Sequence, residues 1–253
     1  MTEYAIYLDD SGHPSDQPRV VTAGFLASET QWLRFEPKWL AALEKYGLGT
    51  VFHMTDFESS NRSDRGRVLE RLTSIIRENT QTSFSCFVNM DAYRRINDTY
   101  ALEEALGTPY ALAVRGLVKN VNLWKEKYLQ PEDEISIYVE EGTRHIGDME
   151  EVFRRDGLPI PQKVPKQHPR VQPGDLLAWE LFHYDDLRPA RRSMVNLLKI
   201  PNMLWSNHGK FVEDNILEAC RKIKELRLRK DLPPDTKHVY HTTPKRFRRR
   251  TIK

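Results

Sequence analysis

The sequence predicts an α/β protein with a central mixed sheet flanked by helices. Short apolar runs typical of strands alternate along the chain with segments in which apolar residues recur at helical spacing. The chain has 253 residues, of which 39% are apolar, which allows one large domain or a domain with an appendage. Internal repeats and low-complexity segments are absent from the sequence.

The chain begins with two predicted strands. Ala5 to Leu8 is apolar and leads into the polar cluster Asp9 to Gly12, typical of a strand that ends at a turn or a functional edge. Residues 19–26 form a second apolar run. Because residues 13–18 between the runs contain two prolines, they favour a turn, and the pair is predicted to form an antiparallel hairpin.

Helices and strands alternate through the rest of the body. Apolar spacing predicts helices over residues 30–46, 64–78, 109–127, 146–156 and 174–186. Apolar or alternating runs predict strands over residues 51–54, 83–89 and 134–140. A proline-rich turn is predicted between the last two helices.

Charge divides the chain into two parts. Residues 1–187 carry 21 Lys and Arg against 30 Asp and Glu, a net charge of −9, whereas residues 188–253 carry 18 against 6, a net charge of +12. We therefore predict a body over 1–187 and a helical, basic C-terminal extension over 188–253. A basic end favours a polyanionic partner, although such ends also serve solubility alone.

Several classes are excluded by composition. With only Cys86 and Cys220, neither a disulfide framework nor a four-thiolate zinc site is expected. No window approaches the roughly 20 apolar residues of a bilayer span, and the first residues lack the layout of a signal peptide. We expect a cytoplasmic protein without a membrane partner, and the sequence leaves its oligomeric state open.

Acidic residues follow the predicted strands. Because side chains alternate along a strand, Asp9 and Asp10 face opposite sides of the sheet. If strand 134–140 lies parallel to the first strand, Glu140 and Glu141 meet Asp9 at the same sheet edge. Asp175 lies in the first turn of an apolar helix. Each acid alone also fits a bland role in a strand-ending turn, a solvated edge or a helix N-terminus.

Brought together, these acids would repel one another unless a divalent cation neutralised them. Hard oxygen ligands select magnesium or manganese. Two such ions, about 3.5 to 4 Å apart, can activate water and stabilise the leaving oxygen of a phosphodiester.

These motifs resemble the domain of unknown function 3800 family, whose fold is similar to that of ribonuclease H. Residues 7–12, Tyr-Leu-Asp-Asp-Ser-Gly, look like the family's Tyr-x-Asp-Glu-Ser-Gly start. Residues 139–141 resemble its Phe-Asp-Glu segment, and residues 172–178 resemble its Gln-x-Ala-Asp-x-x-Ala helix. The order and spacing agree over residues 4–186. The resemblance implies a ribonuclease H-like sheet that carries an acidic metal site.

The resemblance also implies roles for single residues. It assigns the metal to Asp9, Glu140 and Asp175, with Asp9 as the bridging ligand. It implies roles in proton transfer or in support of the ligands for Asp10, Glu141 and His53. His53 by itself also fits a histidine at the end of a strand. The sequence departs from the family at three positions, where Asp10 replaces Glu, Glu140 replaces Asp and Gly174 replaces Ala.

The basic end offers a nucleic-acid contact. Within residues 244–250, five cations surround one aromatic residue without an acid, and they are Lys245, Arg246, Arg248, Arg249 and Arg250. Such a run can bind phosphates with release of counterions. A solubilising tail is the alternative, and a predicted basic helix over 213–230 is a second candidate for the contact.

These features together favour a metal-dependent nuclease that hydrolyses phosphodiester bonds in DNA or RNA. The first alternative is a nucleic-acid-binding or effector module of phage or mobile-element biology that lacks turnover. The second alternative is a metal-dependent hydrolase of a nucleotide or another small phosphate, for which the basic tail would be irrelevant.

Overall fold

The computed structural model describes most of the body and short pieces of the C-terminal part. The described residues are 1–12, 17–142, 145–184, 191–197, 208–211, 214 and 216–218. The strands are β1 (Glu3–Ser11), β2 (Arg19–Ser28), β3 (Thr82–Asn89), β4 (Glu134–Glu140), β5 (Gln162–Val164) and β6 (His208–Phe211). The helices are α1 (Glu29–Lys45), α2 (Met54–Ser59), α3 (Arg65–Asn79), α4 (Met90–Tyr100), α5 (Leu102–Leu106), α6 (Pro109–Tyr128), α7 (Ile146–Arg155), α8 (Gln172–His183) and α9 (Arg192–Leu197).

The strands form one mixed sheet in the order β5-β4-β1-β2-β3-β6. Strand β2 runs antiparallel to both β1 and β3, which confirms the predicted hairpin. Strand β4 runs parallel to β1, and β5 runs parallel to β4. The first five strands therefore follow the spatial order 3-2-1-4-5 with the second strand reversed. This is the arrangement of a ribonuclease H-like sheet, and the predicted fold class is confirmed.

Alternation along β1 divides the core into two layers. Ala5 and Tyr7 face the layer that contains α1, α3 and α8, where the side chains of Trp39, Leu72 and Leu177 are fully buried. The side chains between them, Ile6 and Leu8, face the layer that contains α6 and α7. Both faces of the central strand are covered, which is why β1 is a continuous apolar run up to Asp9.

The predicted strand over residues 51–54 is wrong. Residues 51–53 have no regular structure, and helix α2 begins at Met54. The reason is tertiary: the backbone N–H groups of Phe52 and Met54 donate to the side chains of Gln172 and Asp175 rather than to a neighbouring strand. Strand β5 also lies within the segment predicted as a proline-rich turn.

Part of the C-terminal region packs onto the body. Strand β6 extends the sheet beside β3, and Leu197 of α9 is buried in the layer of α1, α3 and α8. Residues 13–16, most of the predicted helix over 213–230 and the cations of residues 245–250 lie outside the described residues. The division at residue 187 stays a prediction. Among the described helices, none has the length and apolar character needed to cross a bilayer.

Candidate active site

Two acids meet where β1 and β4 end. The parallel register pairs Leu8 with Val139, so Asp9 and Glu140 are the next residues on neighbouring strands. Helix α8 packs on the face of β1 that carries Tyr7 and Asp9, and it approaches the strand closely at Gly174. A Cβ atom at Gly174 would lie 3.1 Å from the backbone nitrogen of Asp9 and 3.2 Å from the Asp9 Cβ. The absence of a side chain at Gly174 therefore lets α8 bring Asp175 close to β1.

Asp9 is a buried carboxyl group among other acids. Asp9 is 7% exposed, and its Oδ1 accepts a hydrogen bond of 2.8 Å from the backbone N–H of Asp10. Burial raises the pKa of Asp9 well above its usual value, and the charges of Asp175, Asp10 and Glu140 raise it further. The carboxylate form of Asp9 therefore lacks a compensating cation among the described side chains.

Asp175 is the second buried acid of the site. Its Oδ2 accepts a hydrogen bond of 2.5 Å from the backbone N–H of Met54. Burial raises the pKa of Asp175, and the charge of Glu140 acts in the same direction. The Met54 N–H, His53 and Lys166 oppose this shift. Asp9 and Asp175 thus titrate as neighbours in one poorly solvated cluster.

His53 joins this cluster from the loop before α2. Its Nε2 lies 3.7 Å from Oδ1 of Asp175, and its Nδ1 lies 3.0 Å from Oδ2 of Asp56. Asp56 is in the first turn of α2, and His53 is the N-cap residue of that helix. The imidazole is therefore held between an exposed and a buried carboxylate, with its ring orientation defined by both.

Gln172 holds the loop that carries His53, a role that the sequence motif alone did not reveal. The side chain is 1% exposed, and its Oε1 accepts hydrogen bonds of 2.9 Å from Trp39 Nε1 and from the Phe52 N–H. Its Nε2 donates to the backbone oxygen of Thr50 at 3.1 Å. Two residues of α8 thus hold the loop over residues 50–54: Gln172 binds Thr50 and Phe52, and Asp175 binds Met54, where the loop ends.

The other predicted site residues lie at the margin of the cluster. Glu140 is half-buried, and its Oε1 accepts a hydrogen bond of 3.2 Å from the backbone N–H of Gly142. Asp10 is half-buried and next to Asp9, whereas Glu141 is exposed. The structure therefore brings Asp9, Asp175, Glu140 and His53 together and places Glu141 in solvent.

No three His, Cys, Asp or Glu side chains of the described residues stand close enough to hold one metal ion as they are placed. The donor set nevertheless fits the chemistry of a hard cation. Asp9 and Asp175 are buried oxygen donors whose pKa values are both raised, and Glu140 acts on both of them electrostatically.

Comparisons with known proteins identify no family for this chain. A scan against protein-family models and a search of curated proteins found no match, so the resemblance to the domain of unknown function 3800 family stays a prediction. Among solved structures, ribonuclease HII of Archaeoglobus fulgidus, in its complex with PCNA, is 17% identical with a TM-score of 0.36. That alignment covers 100% of this chain and 98% of the other.

A second solved structure gives a similar result. Ribonuclease H2 of Pyrococcus horikoshii OT3 is 14% identical with a TM-score of 0.36, over 90% of this chain and 100% of the other. At such low identity and structural similarity, an activity has to be argued from the residues of this chain. By its own strand order, the chain is an α/β protein with a ribonuclease H-like sheet, and it has a cluster of buried carboxyl groups at one sheet edge.

Proposed function

We propose that this protein is a divalent-metal-dependent nuclease, related to the domain of unknown function 3800 family. The observation that carries the proposal is the pair of buried acids, Asp9 on β1 and Asp175 on α8, whose pKa values are both raised in the absence of a cation. Burying two carboxyl groups side by side costs stability, and a site for a divalent cation is a physical reason to retain them.

Asp9, Glu140 and Asp175 would hold magnesium or manganese. When bound, such ions activate water and stabilise the leaving oxygen of a phosphodiester. The remaining residues orient the ligands and move protons. The Asp10 N–H holds one oxygen of Asp9, and the Met54 N–H holds one oxygen of Asp175. Asp10 and Glu141 supply further carboxylates at the edge of the site.

His53 is the residue proposed to transfer protons. Asp56 binds Nδ1 of the ring, which leaves Nε2 on the side of Asp175. An imidazole can donate and accept protons near neutral pH, which suits a step in which water loses a proton and an alkoxide gains one.

Cleavage of labelled DNA and RNA, single-stranded and double-stranded, tests the proposed function. We expect products in magnesium or manganese and none in EDTA. Products that form equally in EDTA would contradict a metal-dependent mechanism. Binding without cleavage in every metal would favour the module without turnover, and cleavage of nucleotides alone would favour a hydrolase of small phosphates.

Magnesium or manganese should raise the thermal midpoint of the protein. A ligand that binds only the folded state stabilises it, by about 2.7 kcal/mol when its concentration is 100 times Kd. For a chain of this size each kcal/mol corresponds to roughly 2 to 4 °C. Calorimetry with millimolar chloride salts measures the shift.

The control for this shift is Glu132→Gln, which neutralises an exposed acid before β4 and should respond to metal as the wild type does. Asp175→Asn should lose most of the response. An equal response in wild type and Asp175→Asn would remove Asp175 from the ligand set.

The basic segment at residues 244–253 is proposed to bind nucleic acid. Deleting residues 244–253, which lie outside the described part of the chain, takes the formal charge from +3 to −3. The slope of log affinity against log salt should flatten by about 0.7 to 0.9 for each phosphate that the deleted cations neutralise. Salt titrations of nucleic-acid binding compare the two proteins. Equal slopes would mean that this segment only solubilises the chain.

A further inference from the structure

A pocket lined by arginines lies beside the candidate active site, between α2, α3 and α9. Its volume is about 270 Å³. The charged side chains that line it are Arg65, Arg191, Arg192, Glu58 and Glu70. Three guanidinium groups and two carboxylates thus line the cavity, so the lining carries an excess of positive charge.

Two of the arginines are held in place by the acids. Arg191 Nη2 lies 2.5 Å from Oε1 of Glu58, and its Nε lies 3.6 Å from the buried Glu180. Arg192 Nη2 lies 3.0 Å from Oε1 of Glu70. Each guanidinium group has five N–H donors, so one ion pair leaves donors for a further acceptor. The acids therefore orient the arginines without using all of their hydrogen-bonding capacity.

Arg65 lacks an acceptor for part of its side chain. Its Nε is enclosed by the protein and makes no hydrogen bond within the described part of the chain. A buried N–H donor without a partner is costly, so this guanidinium group is held in the wall of the cavity without full compensation by the protein. Arg65 therefore lines the pocket without a carboxylate partner in the described part of the chain, and the outer N–H groups of its guanidinium are the ones that can bind an anion there.

The first turn of α3 adds N–H groups to the same pocket. Arg65 and Gly66 are the first two residues of this 15-residue helix, and the N-cap residue Asp64 makes no side-chain capping bond. The Asp64 carboxylate instead binds Arg62. A Cβ at Gly66 would meet no atom within 4 Å, so space is open above this turn. Exposed N–H groups and the helix dipole favour an anion there.

The pocket is connected to the acidic cluster through two helices. Helix α2 begins at Met54, which binds Asp175, and carries Glu58 in its last turn. On α8, Glu180 follows Asp175 by five residues, about 7.5 Å along the helix axis. Arg191 contacts both Glu58 and Glu180. The pocket and the acidic cluster are therefore linked through α2, α8 and Arg191.

We propose that this pocket binds a phosphate group of the nucleic-acid strand on which the acidic site acts, an inference that rests on the proposed function. Arginine suits this role because its planar donors match the oxygens of a phosphate. Phosphate contacts of this kind position a strand without reading its sequence. The pocket would then set the register of the strand relative to Asp9 and Asp175.

Binding of a labelled oligonucleotide in EDTA, which prevents metal-dependent cleavage, tests the proposal. Arg65→Gln should lower affinity roughly fivefold to tenfold near 0.1 M salt and flatten the slope of log affinity against log salt by about 0.7 to 0.9. The matched control is Arg67→Gln, which removes the same charge from an exposed position two residues later, outside the pocket. It should bind nearly as the wild type does.

Arg192→Gln gives a second variant at the opposite wall, and thermal midpoints verify that all variants are folded. Equal affinity and slope for Arg65→Gln and Arg67→Gln would overturn the phosphate pocket and leave the proposed nuclease activity intact.

A titration with inorganic phosphate separates the remaining outcome. One outcome is that neither the wild type nor any variant binds the oligonucleotide, while phosphate raises the thermal midpoint of the wild type but not that of Arg65→Gln. This outcome would overturn the assignment of the pocket to nucleic acid. The proposed function falls with it in that case, and a small phosphate compound becomes the occupant.

Discussion

Asp9→Asn is expected to lower magnesium-dependent cleavage about 10³-fold while the chain stays folded. Charge stabilisation by a bound metal ion is worth several kcal/mol in the transition state, and each 1.36 kcal/mol is a factor of ten in rate. Asparagine keeps the shape of the side chain and removes the negative charge of the residue proposed to bridge the metal ions. Single-turnover cleavage with excess enzyme measures the chemical step.

Glu132→Gln again serves as the matched control, because it removes an exposed carboxylate without touching the cluster. Circular dichroism and the thermal midpoint establish that both variants are folded. Wild-type cleavage by Asp9→Asn would remove Asp9 from the metal site.

The same variant should be more stable than the wild type in EDTA. Because the pKa of Asp9 is raised on folding, the folded state binds more protons than the unfolded state, and stability falls as pH rises through the raised pKa. Asp9→Asn removes this loss, so its thermal midpoint should exceed that of the wild type by a few degrees at neutral pH and converge with it near pH 4.

Burial also raises the pKa of Glu180. Its contribution to the pH dependence of stability is the same in both proteins, so it cancels when they are compared. If the profiles of thermal midpoint against pH are parallel for the two proteins, ionisation of Asp9 does not destabilise the folded state, and the prediction is wrong.

Gln172→Ala is expected to lower the free energy of unfolding by about 3 to 5 kcal/mol. The substitution leaves Trp39 Nε1 and the Phe52 N–H buried without an acceptor, and each such group costs about 1 to 3 kcal/mol. It also releases the loop that carries His53, so cleavage should fall more than stability alone explains. Denaturant unfolding and cleavage under fully folded conditions measure the two effects.

Two variants calibrate this result. Gln167→Ala changes an exposed glutamine in the loop before α8 and should have little effect. Gln172→Glu keeps oxygen acceptors for Trp39 and Phe52 but removes the Nε2 donor to Thr50, so its cost should differ from that of alanine. A change below about 1 kcal/mol for Gln172→Ala would contradict the role of this side chain in holding the loop.

Local pattern was sufficient for most of the sheet and for the long helices. β1 to β4 are apolar or alternating runs of at least seven residues, and α1, α3 and α6 have continuous apolar stripes. Such periodicities arise from burial on one or both faces, so they can be read without knowledge of the fold. Strands β5 and β6 have three and four residues, too few to show a period.

The acidic edge was predictable in outline because parallel neighbours end at the same side of a sheet. The prediction was conditional on a parallel pairing of β1 and β4, and the observed pairing is parallel and places Glu140 beside Asp9. The orientation of Glu140 toward the Gly142 N–H was not predictable, since it depends on how the chain turns after β4. The functional roles of these acids stay predictions until a metal and a substrate are tested.

The order of residues was enough to establish the α/β class, the main strands and the acids that end them, because burial leaves a periodic record along the chain. The path of residues 51–53, the burial of Asp9 and Asp175 and the arginine pocket depend instead on contacts between distant segments. Gln172 binds a loop that lies 120 residues earlier in the chain, and Arg65 and Arg191, which line the same pocket, are 126 residues apart. Such contacts follow from packing of the whole fold and leave no local pattern.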